Sequence, residues 1–187
     1  MTAQILVEKK KLAKAPLELH YLGDRVLRQP AKRITKIDDE VRLLARQMLQ
    51  TMYSEDGIGL AAPQVGIHKQ LIVVDCEPDQ PEAPPLILIN PVILKSSQKQ
   101  CVTQEGCLSI PQVFLDVVRP ENIEVSFKDE QGRPQRLKAD GLLARVIQHE
   151  IDHLNGVVFV DRVENTLMRN QELTKHGFAV GSVKPVQ

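Results

Sequence analysis

The feature that most constrains the fold of this chain is the segment GLLARVIQHEIDHLNG at residues 141–156. Its apolar residues recur at helical spacing, between an aspartate that suits a helix N-terminus and a glycine that suits a C-terminus. On such a helix His149 and His153 lie one turn apart on one face, with Glu150 rotated by about 100° from His149. Burying these polar groups is costly unless a metal or polar partners satisfy them. The segment therefore predicts a buried helix with a metal site.

The remaining elements indicate one more helix and several short strands. Residues 38–57 place apolar side chains at helical spacing behind acidic residues. LIVVDC at 71–76, PLILINPVIL at 85–94 and NIEVSF at 122–127 are typical of strands, and EQGRP at 130–134 of a turn. This order favours an α+β fold, with mostly antiparallel β-sheets packed around a central metal-binding α-helix that carries HExxH.

A catalytic site of this kind needs a third protein ligand besides the two histidines. The metzincin pattern H-E-x-x-H-x-x-G-x-x-H is followed as far as Gly156, but Phe159 stands where its last histidine belongs, which excludes it. A glutamate further along, Glu164 or Glu172, is an alternative, and Glu172 as third ligand would indicate a zinc metalloendopeptidase. Cys107 in QEGCLSIP is the better candidate, because a thiolate beside two imidazoles leaves one coordination position open for water.

Three segments taken together resemble one family, the peptide deformylases. They are GIGLAAPQ at 57–64, EGCLS at 105–109 and QHEIDHLNG at 148–156, in the family's order, and the resemblance covers about residues 20–162. QVFLDVVRP, after the cysteine segment, is similar to the plastid and cyanobacterial branch. It places Phe114 where some bacterial relatives have an arginine near the substrate. The resemblance implies a metal-dependent hydrolase that removes the formyl group from the N-terminal formyl-methionine of nascent polypeptides and releases formate.

The resemblance also implies a role for each matching residue. The metal ligands would be Cys107, His149 and His153, with Glu150 as the general acid and base. The oxyanion would be stabilised by the Gln64 side chain and the backbone N–H of Leu108. Substrate-binding residues would be Gly57, Ile58, Gly59, Glu105 and Gly106. The implied cofactor is one divalent ion, Fe²⁺ in vivo, although Zn²⁺, Ni²⁺ or Co²⁺ also suit the ligand set. An ion pair between Glu105 and Arg119 is predicted to steady the cysteine loop.

Composition and termini bear on partners and location. Equal numbers of basic and acidic residues, 24 of each, argue against a sequence-specific nucleic-acid protein or one that binds anionic membranes. No apolar run approaches the roughly 20 residues of a membrane span, and the first residues lack the features of a secretory signal. Three cysteines without an export signal favour thiols over disulfides. We therefore expect a cytoplasmic protein, a monomer rather than an oligomer, that meets formyl-methionyl nascent peptides at the ribosome.

The chain length predicts a single domain over residues 1–187. Residues 1–19 are expected to form a mobile N-terminal arm. Residues 163–187 are expected to form a weakly patterned, less ordered C-terminal tail, in which GFAVGSVKPVQ at 177–187 has no regular structure. A different class of protein also fits the ligand pattern. In a non-catalytic module, Cys101 as a fourth ligand would close a structural metal site.

Overall fold

The computed structural model describes residues 7–186, which form an α+β fold with antiparallel sheets. Its helices and strands, in chain order, are α1 (Asp39–Ser54), β1 (Gly59–Ala61), β2 (Leu71–Val74), β3 (Leu86–Ser96), β4 (Gln100–Cys107), β5 (Ile110–Pro120), β6 (Asn122–Lys128), β7 (Pro134–Asp140), α2 (Gly141–Leu154) and α3 (Thr166–Lys175). Five strands pair in the order β1-β2-β3-β6-β7, and β4 and β5 form a separate hairpin. None of the helices formed by residues 7–186 has both the length and the apolar character of a membrane span.

The five-stranded sheet lies between α1 on one face and α2 on the other. Strand β2 shows this alternation: Leu71 and Val73 pack in the cluster with α1, whereas Ile72 and Val74 pack in the cluster with α2. A strand covered on both faces needs a continuous apolar run, which is why the segment reads LIVV without polar interruptions. The hairpin β4–β5 builds a third cluster with Phe159.

Helix α1 buries the apolar stripe that its sequence predicts. The six residues of this stripe are at most 6% exposed: Val41, Leu44, Ala45, Met48, Leu49 and Met52. Asp38 is the N-cap, and its side chain accepts a hydrogen bond from the backbone N–H of Val41. The helix ends at Ser54, before the glycine at which the sequence indicates an end.

Helix α2 has the boundaries that its flanking residues predict. Asp140 occupies the N-cap position, and Gly156 follows the helix with a φ of +73°. A Cβ atom at Gly156 would lie 2.7 Å from the carbonyl oxygen of Arg28. The left-handed backbone and this close approach both require glycine at the end of the helix.

Three strands lie where the sequence gives little strand signal. Strand β1 falls in the segment GIGLAAPQ, whose glycines and proline are not typical of a strand, and it pairs with β2 from Gly59–Val74 to Ala61–Ile72. In β4 the one buried residue is Glu105, and in β7 the exposed residues are Pro134 and three charged residues, Arg136, Lys138 and Asp140. Strands with one face in water lack a continuous apolar pattern, and backbone pairing forms them without it.

The C-terminal tail is more regular than its weak pattern predicts. Residues 163–186 contain α3 and a short 3-10 turn at Val180–Ser182. Leu173 is fully buried in the hairpin cluster, and Phe178 and Val183 pack against it. The Arg28 guanidinium donates to the carbonyl oxygen of Ser182 at 2.6 Å. These contacts pack the tail onto the domain, and within residues 177–186 the regular structure is limited to that short turn.

The N-terminal arm also packs onto the domain as far as the structure describes it. Residues 1–6 of the predicted arm lie outside the described residues. Val7, Leu17 and Leu19 pack against the α1 cluster, and the backbone N–H of Leu12 donates to the Ser54 hydroxyl at 3.2 Å. Between residues 7 and 19 the arm therefore lies against the domain.

A buried ion pair attaches this arm to Asp75, the residue that follows β2. The ammonium of Lys9 lies 2.7 Å from the carboxylate of Asp75, and the two side chains are only 7% and 3% exposed. Lys9 also donates to the carbonyl oxygens of Glu77 at 3.0 Å and Gln80 at 2.8 Å. Tyr53 donates to the same Asp75 oxygen at 2.6 Å. The cation thus compensates a carboxylate that has little access to water.

Replacing Lys9 with methionine is expected to lower the free energy of unfolding by about 3 kcal/mol, because it leaves a buried charge without its partner. Urea denaturation measures the change. Lys11→Met is the matched control, since Lys11 and its partner Asp56 are 60% and 75% exposed. Its denaturation midpoint should stay at that of the unaltered protein. Equal midpoint shifts for the two variants would contradict the assignment of a stabilising role to the buried pair.

Candidate active site

The sulfur of Cys107 and the rings of His149 and His153 lie together at the C-terminal half of α2. One ligand atom from each residue lies within 4.8 Å of the other two, and the Cys107 Sγ is 3.3 Å from His153 Nε2. In a tetrahedral site with bonds of about 2.3 Å to sulfur and 2.0 Å to nitrogen, two such ligand atoms are about 3.5 Å apart. The three side chains therefore have the spacing and the donor chemistry of a divalent-metal site.

Two elements bring these ligands together. His149 and His153 are one turn apart on α2, with their ring centroids 5.1 Å from each other. Cys107 ends β4 and pairs with Ile110 of β5, after a register shift between Glu105 and Cys107. Such bulges re-aim a side chain out of the regular alternation of a strand. The hairpin thus delivers the thiol to the helix.

Glu150 is a buried carboxyl group beside the two histidines. It is 4% exposed, and among residues 7–186 its Oε2 has no hydrogen-bond partner. Burial raises its pKa to about 7. A Cβ atom at Gly59 would lie only 2.5 Å from its Oε1, so the glycine makes room for the carboxyl group. A buried oxygen without a protein partner calls for a bound water or ligand at this point.

The Glu105 carboxylate orients the first histidine. It accepts a hydrogen bond from His149 Nδ1 at 2.9 Å, which directs Nε2 of that ring to the ligand cluster. Arg119 donates to both Glu105 oxygens, at 2.5 and 3.0 Å, so the predicted ion pair is confirmed, and both side chains are 4% exposed. Burial raises the pKa of Glu105, but the hydrogen bonds from His149 and Arg119 outweigh it and hold that pKa well below its usual range. A carboxylate partner of this kind fixes the tautomer of a ligating histidine.

The two histidine rings have different environments. Burial lowers the pKa of His153, and the neighbouring His149 lowers it further, so His153 is a neutral imidazole suited to metal ligation. Burial also acts to lower the pKa of His149, but its hydrogen bonds to Cys107 and Glu105 raise it overall. Phe159, which replaces the third histidine of the metzincin pattern, stacks on the His149 ring at 6.0 Å.

Gln64 directs its amide group toward the cluster. Its Oε1 accepts from the backbone N–H of Ala61 at 2.8 Å. Because that N–H can only donate, the amide nitrogen lies on the other side, 3.1 Å from the Ser109 hydroxyl and 3.5 Å from the Cys107 sulfur. The side chain is 1% exposed, so its N–H groups are held toward the site.

A cavity of about 490 Å³ lies in front of the ligand cluster. Ten of the residues predicted for catalysis, binding or ligation line it: Gly57, Ile58, Gly59, Gln64, Glu105, Gly106, Cys107, Leu108, His149 and Glu150. The remaining predicted ligand, His153, is 1% exposed and does not line it. The volume lies in the usual range for a small-molecule or side-chain pocket. Glu105 contributes to the wall, but both of its oxygens are engaged by His149 and arginines.

Several lining residues have no counterpart in the sequence prediction. They are Leu19, Tyr21, Gln112, Leu142 and Arg145. Phe114, which the sequence comparison with bacterial relatives places near the substrate, lies at the rim and is 57% exposed. Arg145 could have been predicted from the sequence, because a charged residue four positions before His149 lies on the same face of the helix. The apolar residues left none, since their apolar character equally suits the core.

The other candidate ligands do not join the cluster. Glu172 lies on α3 and pairs with Lys175 and His176, each at 3.5 Å. The Cys101 sulfur accepts a hydrogen bond from Arg145 at 3.2 Å. Among the described residues, neither of these nor Glu164 belongs to a group that holds Cys107 and the histidines. The structure therefore does not favour Glu172 or Cys101 as a ligand. All three cysteines are free thiols, which agrees with the expectation of thiols rather than disulfides.

The model of the polypeptide deformylase family matches residues 16–168. The chain belongs to this family. The peptide deformylase of Microchaete diplosiphon is 70% identical over 186 residues, and peptide deformylase 1 of a Nostoc species is 71% identical; each alignment covers 100% of both chains. A crystal structure of a peptide deformylase from Synechococcus elongatus in complex with actinonin superposes with a TM-score of 0.97. It is 70% identical and covers 98% of this chain and 100% of that chain.

These comparisons confirm the resemblance that the three sequence segments carry, including its cyanobacterial branch. The α+β fold with antiparallel sheets agrees with that of the family. The family consists of metalloenzymes, in agreement with the cysteine and histidine cluster. Membership in this family does not favour the zinc metalloendopeptidase that Glu172 would indicate.

Proposed function

We propose that the protein hydrolyses the formyl group from the N-terminal formyl-methionine of nascent polypeptides and releases formate. The observation that carries the proposal is the cluster of Cys107, His149 and His153 with Glu150 beside it at one 490 Å³ cavity. It occurs in a chain that matches peptide deformylases over its full length. Formyl transfer to water needs a metal site, a proton carrier and an oxyanion donor, and each has a candidate here.

The metal site consists of Cys107, His149 and His153, and α2 then acts as the central metal-binding helix of the fold. We propose Fe²⁺ as the ion in vivo, while Zn²⁺, Ni²⁺ and Co²⁺ suit the same donors. When bound, such an ion supplies Lewis acidity and lowers the pKa of water, from about 16 to roughly 7 in zinc enzymes. Glu105 keeps His149 in the ligating orientation through the 2.9 Å hydrogen bond.

Glu150 moves the proton. Its free oxygen accepts a proton from the water whose oxygen attacks the formyl carbon. As the C–N bond breaks, the same carboxyl group returns this proton to the departing nitrogen. Formate and a free amino terminus result, and Glu150 is again a carboxylate. Its burial among apolar residues of α2 and β1 keeps other water away from this transfer.

The negative oxygen that develops during attack is stabilised by donors aimed at it in advance. Gln64 offers its amide N–H groups, fixed by the hydrogen bond that Oε1 accepts from Ala61. The backbone N–H of Leu108, next to the ligand Cys107, is the second donor. Both residues line the cavity.

The peptide lies along the segment Gly57, Ile58 and Gly59. Strand β1 is at one end of the five-stranded sheet, so an extended peptide can pair with its free edge. The methionine side chain enters the cavity, whose wall includes Gly106 and Leu108. The glycines allow backbone to approach backbone closely.

We further propose that residues 1–187 form a single domain that acts as a monomer in the cytoplasm. Its partner is the formylated nascent chain as it leaves the ribosome. No sequence-specific contact with nucleic acid and no membrane attachment are needed for this activity.

Purification under anaerobic conditions, metal analysis and an assay of formate release test the proposal. A formyl-methionyl peptide is expected to yield formate in proportion to the bound metal. The matching acetyl-methionyl peptide tests whether the formyl group is required. Cleavage of an internal peptide bond in the same acetylated peptide would indicate endopeptidase activity. A protein with one Fe²⁺ or Ni²⁺ bound that releases no formate would contradict the proposal.

A further inference from the structure

Arg145 is a buried cation at the site with no part in the reaction as described above. It lies on α2, one helical turn before His149, and is 5% exposed. Its Nη1 donates to Glu105 Oε1 at 2.7 Å and to the carbonyl oxygen of Val117 at 3.0 Å. Its Nη2 donates to the carbonyl oxygen of Cys101 at 2.9 Å. One guanidinium thus contacts Glu105, the hydrogen-bond partner of His149, and the backbone of both strands of the hairpin.

These contacts complete the set of donors around Glu105. Oxygen Oε1 accepts from Arg119 at 2.5 Å and from Arg145 at 2.7 Å, and Oε2 accepts from Arg119 at 3.0 Å and from His149 at 2.9 Å. A carboxylate with four donors from three directions has one orientation. Without Arg145, Oε1 loses one of its two donors, and the carboxylate that orients His149 is held by Arg119 and His149 alone.

Charge compensation does not account for Arg145. The network contains two carboxylates, and two guanidiniums other than Arg145 already balance their charge. Arg119 contacts both Glu105 and Asp152, and Arg162 donates to both oxygens of Asp152 at 2.6 Å. A further buried guanidinium adds a desolvation cost. What Arg145 supplies beyond charge is the directed geometry of its fork.

The same fork connects the two elements that carry the ligands. The helix α2 bears both histidines, and strand β4 bears the cysteine at its end. Arg145 joins them through the carbonyl groups of Cys101 on β4 and Val117 on β5. A shift of the hairpin relative to the helix changes the distance between Cys107 and His153, now 3.3 Å.

We propose that Arg145 is a positioning residue for the metal ion, which it serves by holding Glu105 against His149 and the cysteine hairpin against α2. The proposal rests on the proposed function, since it assumes that the cluster binds a metal. Side chains that orient metal ligands from behind typically contribute 10–100-fold in metal affinity. Arg145 supports the histidine ligand through Glu105 and the cysteine ligand through the hairpin backbone.

Arg145→Met tests the proposal, because methionine keeps an apolar stem and removes every donor. Competition with a chelator measures the dissociation constant for Co²⁺, and the thiolate-to-cobalt absorption band reports the geometry of the site. The dissociation constant is expected to rise about 10–100-fold, with a shifted band. Arg145→Lys keeps the charge but not the fork, and it should restore only part of the affinity.

Two controls separate positioning from general stability. Arg169→Met removes another buried arginine, on α3, whose Nε donates to Asn170 at 3.2 Å. Cys101→Ser alters the thiol contact of Arg145 and leaves its contact with Glu105. Both controls should keep the affinity and band of the unaltered protein, and thermal unfolding of the metal-free proteins measures stability separately.

The outcomes distinguish the two proposals. Unchanged affinity and an unchanged band in Arg145→Met overturn the role of Arg145, as does an equal loss in Arg169→Met. If Arg145→Met does not fold, an Arg145→Lys variant that binds Co²⁺ with the affinity and band of the unaltered protein overturns it as well. If the unaltered protein itself binds no Co²⁺ at the cysteine, the proposed function fails instead.

Discussion

Replacing Glu150 with glutamine is expected to leave the metal content unchanged and to reduce kcat for formate release by about 10²–10⁴-fold, the usual contribution of a general acid or base. Glutamine has nearly the same shape, so it fits the space that Gly59 leaves beside the Glu150 side chain. It can no longer accept a proton from water or return one to the departing amine. Metal analysis and steady-state kinetics on one preparation measure both quantities.

The matched control for this variant is Glu172→Gln. Glu172 is the alternative ligand of a metalloendopeptidase, but it pairs with Lys175 and His176 on the surface of α3. Its replacement is expected to change neither the metal content nor kcat. If Glu150→Gln kept full activity, or if it lost the metal together with the activity, a proton-carrying role for Glu150 would be contradicted.

The sequence predicts best those elements whose pattern records burial. In α1 every residue of the apolar stripe is buried, and in β2 the continuous run LIVV corresponds to a strand covered on both faces. The strands β4 and β7 have exposed polar side chains and no continuous apolar pattern, so it is the backbone pairing with β5 and β6 that makes them recognisable as strands. That pairing depends on chain segments that sequence patterns do not connect.

The site divides in the same way. The metal ligands and the proton carrier are residue types with distinctive chemistry. The spacing of His149, Glu150 and His153 on one helix allows them to be recognised from the sequence. The support behind them depends on contacts between distant positions: Glu105 and His149 are 44 residues apart, and Arg145 reaches Cys101 across a similar separation. The sequence suggested one supporting contact, the ion pair of Glu105 with Arg119, but it gave no partner for Arg145.

Replacing Cys107 with alanine is expected to weaken metal binding by at least about 10²-fold and to abolish formate release. Structural zinc sites bind with about 10–16 kcal/mol shared among four ligands, so each ligand contributes on the order of 3 kcal/mol. With the sulfur gone, His149 and His153 alone offer two of the three donors. Equilibrium dialysis against a buffered metal series measures the loss.

The other two cysteines provide the controls for this variant. Cys76→Ala and Cys101→Ala are expected to keep both metal and activity. Burial raises the pKa of the Cys76 thiol to about 11, so it offers no thiolate near neutral pH, and the Cys101 sulfur contacts Arg145 at 3.2 Å. Full metal content and full activity in Cys107→Ala would show that the third ligand is another residue. Because Cys107 is the ligand that separates this site from the HExxH peptidases considered above, that result would contradict the proposed function itself.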